Sequence, residues 1–156
     1  VAVSGACFAL GCICRQHPTN QSAVGERGGV ADLVRILEHG GDGGHDAEVL
    51  KTCIMSITEL IEHHAENQAR AHAAGVIPIL IRVLCDNSEP GLQGAALNTL
   101  ARMDVERTFA MTAVMTSGIG ARIHTIPRSL VEDPQTLRFV RGFLPEVAPW
   151  TTGGYR

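Results

Sequence analysis

Apolar residues recur along the chain at the three- and four-residue spacing of one helical face. Ile54, Ile57, Leu60 and Ile61 form one such set, Ala96, Leu97, Leu100 and Ala101 a second, and Ala6, Ala9, Leu10, Ile13 and Cys14 a third. Each predicts a long helix. The segments between them repeat one another. Asn20 to Leu37, NQSAVGERGGVADLVRIL, aligns without a gap with Asn67 to Leu84, NQARAHAAGVIPILIRVL, at an offset of 47 residues. Asn-Gln opens both; Gly28 matches Gly75, Val30 matches Ile77, Leu33 matches Leu80, Val34 matches Ile81, Arg35 matches Arg82 and Leu37 matches Leu84. Self-similarity at such a period marks a stack of supersecondary units.

The logic of one unit is local. A short polar helix is expected to begin near Asn20 or Asn67, and Gly28 or Gly75 supplies a sharp turn that a bulkier residue resists. Pro78 suits the first turn of the next helix, where a missing N–H costs nothing. GVADLVRIL and GVIPILIRVL are apolar over much of their circumference, which predicts packing between neighbours and a fold that forms only as a stack. The segment HGGDGGHD, residues 39–46, is expected to be a mobile surface loop, and Asp86 to Pro90 a tight turn. Ala110 to Ile126 repeats the pattern in degenerate form, with Ser117, Gly118 and Ile119 at the turn and Ile123 and Ile126 on the apolar face. Asp133 is placed to cap a helix that starts at Pro134 and continues through TLRFVRGFL. Residues 1–144 thus read as one repeat domain and 145–156, with Pro145, Pro149, Trp150 and Gly153-Gly154, as a tail.

Composition narrows the class. Aromatic residues are only 4% of a chain that is 45% apolar, so the core is aliphatic, as helix packing favours. The net charge of −3 and the scattered basic residues argue against nucleic acid as a primary partner. No apolar run approaches the roughly 18 residues of a membrane span, and no signal-peptide order opens the chain. A soluble, cytoplasmic protein is expected. Five cysteines, all in or beside apolar stretches, point to a reducing compartment. Valine at position 1 and the repeat pattern predict a piece of a longer protein, with an upstream repeat over Ala6, Leu10 and Ile13. Alone, the chain is expected to be marginally stable or to self-associate through that face.

The stretches RGGVADLVRIL, AAGVIPILIRVL and AALNTLA resemble the armadillo repeats, whose signature has Asn-Gln in a short helix, a turn at A-G-G-[IV]-P, then L-[VI]-x-x-L and a third helix with A-L-x-x-L-A. The resemblance covers roughly residues 3 to 103, weakens over 104 to 144 and is absent beyond. It implies an all-α, right-handed α-solenoid of three-helix repeats whose third helices line a concave groove for a protein or extended peptide. In the nuclear-import branch the third helix carries Trp and, four residues on, Asn; here those slots hold Phe8 and Cys12, Met55 and Glu59, and Ala95 and Thr99. That peptide clamp is therefore not expected, nor is the basic groove of the β-catenin branch, since Lys51 is the one lysine. By helical position the groove set is Phe8, Arg15, Thr52, Met55, Glu59, Glu62, Ala95, Asn98, Thr99 and Arg102, with Met55, Glu59 and Arg102 singled out. The implied role is a non-enzymatic scaffold. A transport adaptor that reads basic peptides through Glu59 and Glu62 is the alternative. ALGCICRQHPTN, SGIGARIHTI, LPEV and GGY also look somewhat like armadillo proteins of the ciliary central apparatus, which would place the chain in the axoneme.

Other candidate chemistry has plainer readings. Cys7, Cys12, Cys14 and His17 lack the turn of a zinc knuckle, and Cys7, Cys14 and Cys53 fall where the repeat places buried alanine. His63, His64 and His72, with Glu62 and Glu66 nearby, lack HExxH order and read as a solvated surface, with some sensitivity to pH. Gly40, Gly41, Gly43 and Gly44 lack the Lys-Ser or Lys-Thr of a phosphate loop, and no serine lies in a GxSxG elbow. No cofactor, metal or enzymatic activity is expected.

Overall fold

The structure, a computed structural model, describes residues 2–40, 46–86, 89–105, 107–118, 127, 129 and 132–143. Among these residues the regular structure is helical, without a strand. The helices are α1 (Ala2–Cys14), α2 (Pro18–Glu26), α3 (Gly29–His39), α4 (Ala47–Ile61), α5 (Ala65–Ala73), α6 (Val76–Asp86), α7 (Pro90–Ala101), α8 (Arg107–Thr116) and α9 (Pro134–Phe143). No described helix is long and apolar enough to cross a membrane.

Helix ends follow local chemistry. Pro18, Pro90 and Pro134 each open a helix, and Asp46 caps α4 by accepting Val49 N–H at 2.9 Å. Asp133 caps α9, accepting from both the backbone N–H and the hydroxyl of Thr136 at 2.8 Å. The short helices begin two residues earlier than Asn20 and Asn67, because His17 and His64 are the caps: His17 Nδ1 accepts Asn20 N–H at 3.3 Å and His64 Nδ1 accepts Asn67 N–H at 3.2 Å. The repeat extends to the turn just before each cap, where Gln16 and His63 both take the left-handed conformation, at φ 52° and 55°. Gly28 and Gly75, at φ 82° and 84°, make the predicted turns, and Gly118 at φ 73° makes the corresponding one after α8.

Packing assembles the helices into a row. α1 packs on α4, α4 on α7 and α7 on α9, while α3 and α6 lie against α4 and α7, and α2 packs on α5. Ile54, Ile57, Leu60 and Ile61 are fully buried, as are Ala96, Leu97 and Leu100, in accord with their spacing. Burying a leucine completely is worth about 1.5–3 kcal/mol. In α1 the apolar set is divided: Cys7, Gly11 and Cys14 are buried, Leu10 is half-buried, and Ala6, Ala9 and Ile13, the surface an upstream repeat was expected to cover, are exposed. α3 and α6 are also less enclosed than expected. α3 buries Val30, Leu33, Val34 and Leu37 but exposes Asp32, Arg35 and Glu38, and α6 exposes Pro78, Arg82 and Asp86. Each has one solvent face, because among the described residues no helix lies outside it.

The recurrent Asn-Gln pair has a mechanical role. Asn20 Nδ2 donates to Ile13 O at 2.6 Å, and Asn67 Nδ2 donates to Leu60 O at 3.0 Å, seven residues back in each case. Each amide satisfies a carbonyl orphaned at the end of a long helix. The glutamines bind neighbouring units: Gln21 Nε2 donates to Glu59 O at 2.8 Å and Glu62 O at 3.1 Å, and Gln68 Oε1 accepts Val105 N–H at 3.0 Å.

Several expectations fall outside the described residues. They are the 41–45 part of the glycine-rich loop, residues 87–88 of the tight turn, Ile119, Ile123 and Ile126 of the degenerate unit, and the tail.

Candidate functional site

Because α1, α4 and α7 lie side by side, residues four apart on each helix form stripes that face two hollows. The first, about 240 Å³, lies between α1 and α4 and is lined by Phe8, Gly11, Cys12, Arg15, Glu48, Lys51, Thr52, Met55, Ser56 and Glu59. The second, about 140 Å³, lies between α4 and α7 and is lined by Met55, Thr58, Glu59, Glu62, Ala95, Asn98 and Arg102. Met55 and Glu59 belong to both, so the hollows form one continuous depression. Its apolar part is open to solvent: Phe8 is 61% exposed and Met55 47%. An exposed phenylalanine beside an exposed methionine is the kind of surface that partners cover.

Every groove residue selected from the sequence lines this depression except Thr99. Thr99 is fully buried; its hydroxyl shares a 2.7 Å hydrogen bond with Thr58 across α4 and α7 and donates to Ala95 O at 2.9 Å. It joins α7 to α4 and does not line the depression, because its position on α7 turns it toward α4. Gly11, Cys12, Glu48, Lys51, Ser56 and Thr58 line the hollows although they were not in the groove set. Gly11, Glu48 and Lys51 lie one turn before Arg15, Thr52 and Met55, so the i, i+4 rule was the available signal.

Charge in the depression is paired within the chain. Arg15 Nε meets Glu59 Oε1 at 3.1 Å, bridging α1 and α4, and Arg102 Nε meets Glu62 Oε1 at 3.1 Å, bridging α7 and the end of α4. Arg102 Nη1 also reaches Asp133 Oδ2 at 3.5 Å. Burial pushes the Asp133 carboxyl up, but the Thr136 hydrogen bonds and Arg102 outweigh it and hold the group below the ordinary carboxylate range. Asn98 Oδ1, beside these pairs, is buried with no hydrogen-bond partner among the described residues.

The remaining clusters do not converge. Cys7 and Cys14 are buried on one side of α1, while Cys12 is exposed on another. Burial pushes the Cys7, Cys14 and Cys53 thiols up, and Cys53 Sγ donates to Leu33 O at 3.1 Å. Among the described residues, no group of three or more His, Cys, Asp or Glu side chains is arranged to hold a metal ion. The three histidines are not one solvated set. His63 is exposed, His72 packs edge-on against Phe109 with ring centroids 4.8 Å apart, and His64 caps α5. His64 Nε2 also lies 2.9 Å from Ser22 Oγ. Because His64 Nδ1 accepts the Asn67 N–H, the ring proton sits on Nε2 and is donated to Ser22. A base needs a free lone pair at that nitrogen, so this pair is not a nucleophile and its activator. Against protein-family models, curated proteins and solved structures, the chain has no match.

Proposed function

We propose that the chain is an armadillo-type α-solenoid that serves as a non-enzymatic scaffold and holds an extended partner segment along α1, α4 and α7. The observation that carries this reading is the continuous depression in which Phe8 and Met55 are exposed while the neighbouring charges are already paired. The repeated roles of His17 and His64, Asn20 and Asn67, and Gly28 and Gly75 support the stacked-unit architecture.

Such a surface selects a bulky apolar side chain seated between Phe8 and Met55, with uncharged residues on either side. A lysine- or arginine-rich peptide fits less well. To bind it, Glu59 and Glu62 would first give up Arg15 and Arg102.

The test is a library of neutral, extended peptides with one Phe, Leu or Met anchor, screened by fluorescence anisotropy beside a lysine-rich set. Met55→Glu is expected to weaken the best neutral binder at least about tenfold, equivalent to about 1.4 kcal/mol. The melting temperature should hardly change, since Met55 is a surface residue. Preference for the lysine-rich set, with salt-sensitive binding lost in Glu59→Ala, would establish the basic-peptide adaptor instead.

A further inference from the structure

Within the row of long helices α4 is covered on both sides, by α1 and by α7. Among the described residues, α1 has a long helix beside it on one side, α4. The side of α4 that receives α1 is marked by a contact: Ser56 Oγ donates to Cys7 O at 2.6 Å. Stepping back by the 47-residue repeat turns Cys53, Ser56 and Leu60 into Ala6, Ala9 and Ile13. In α4 these three positions are buried; in α1 all three are exposed, Ile13 to 53%. α1 contains no charged residue, so nothing on this face requires water.

The repeat also specifies what fits there. α4 receives from α1 a stripe of small, uncharged residues, and Gly11 comes so close that a Cβ added to it would stand 3.0 Å from Ser56 Oγ and 3.2 Å from Ser56 Cα. We propose that the open face of α1 is the docking surface for a further three-helix unit, whose long helix presents small residues as Cys7, Gly11 and Cys14 do. A second copy of this chain is a poor occupant. Its own small-residue stripe is already against α4, and the far end of its row, α9, exposes Arg138 and Arg141, whose burial on an uncharged face would leave both charges unpaired. The inference rests on the stacked-unit reading and not on peptide binding in the groove, which is measured separately and can fail alone.

The test adds a copy of residues 1–47 ahead of the full chain, which keeps the period and sets a second α1 against the first. A single cooperative thermal transition is expected, more than about 4 °C above that of the parent. Ile13→Glu in the covered α1 should abolish the gain, whereas in the parent, where Ile13 meets water, it should move the transition by less than about 2 °C. Ala9→Ser in the covered helix should raise the transition further, because it restores the hydroxyl-to-carbonyl bond that Ser56 makes. Two separate transitions, or a parent transition unmoved by the added copy, overturn the proposal. So does a parent that sediments as a dimer which Ile13→Glu dissociates, since a second copy then holds the face.

Discussion

Replacing Asn67 by alanine should cost the fold far more than the same change at Asn20, although the repeat makes the two positions equivalent. Asn67 is fully buried, and its amide donates to Gln21 O at 2.8 Å and Leu60 O at 3.0 Å while its oxygen accepts from Arg70 at 2.8 Å. Asn20 is half-buried, and among the described residues its side chain donates to Ile13 O alone. Each bond contributes about 1 kcal/mol net, and a buried carbonyl left unpaired adds to the loss. Asn67→Ala should therefore cost about 3 kcal/mol and Asn20→Ala about 1 kcal/mol. For a chain of this size those losses lower the melting temperature by about 6–12 °C and about 2–4 °C. Urea unfolding reads them as a shift in midpoint at constant slope. A second arm uses Gly25, where an added Cβ would collide with the Asn67 amide. Gly25→Ala should be destabilising in the parent and much milder when Asn67 is already alanine, a coupling above about 0.5 kcal/mol. Equal costs at Asn20 and Asn67, or additive effects at Gly25 and Asn67, would refute the view that Asn67 clamps adjacent units.

Two further outcomes follow from the caps. His64→Ala should destabilise by about 1 kcal/mol through loss of the bond to Asn67 N–H, and His64→Asp should recover most of it, because a carboxylate accepts the same bond at a helix N-terminus; thermal melts of the three proteins check this. The depressed Asp133 carboxyl makes the unfolded chain bind protons first on acidification, so its stabilisation is complete above the ordinary aspartate value of about 3.9 and fades as pH falls through the lower folded value. Asp133→Asn should accordingly flatten the acid limb of a stability-against-pH curve measured by urea unfolding, and an unchanged limb would exclude the Thr136 and Arg102 contacts as its cause.

The chain by itself determined the features that depend on near neighbours. The spacing of Ile54, Ile57, Leu60 and Ile61 marks a buried helical face, Gly28 and Gly75 mark turns at positive φ, and Asp133-Pro134 marks a helix start; each is set by local sterics and hydrogen bonding within a few residues. The histidine caps escaped notice because imidazole rarely takes that role, and only the position of Asn20 and Asn67 N–H shows the ring to be an acceptor. Tertiary structure decided whatever depends on which helix lies alongside. It buries Thr99 between α4 and α7, pairs Arg15 with Glu59 and Arg102 with Glu62, and leaves Ala6, Ala9 and Ile13 exposed although their spacing matches that of buried residues in α4. Periodicity states which side of a helix is apolar, but burial and ion pairing are properties of two surfaces, and the second surface is supplied by residues about forty positions away.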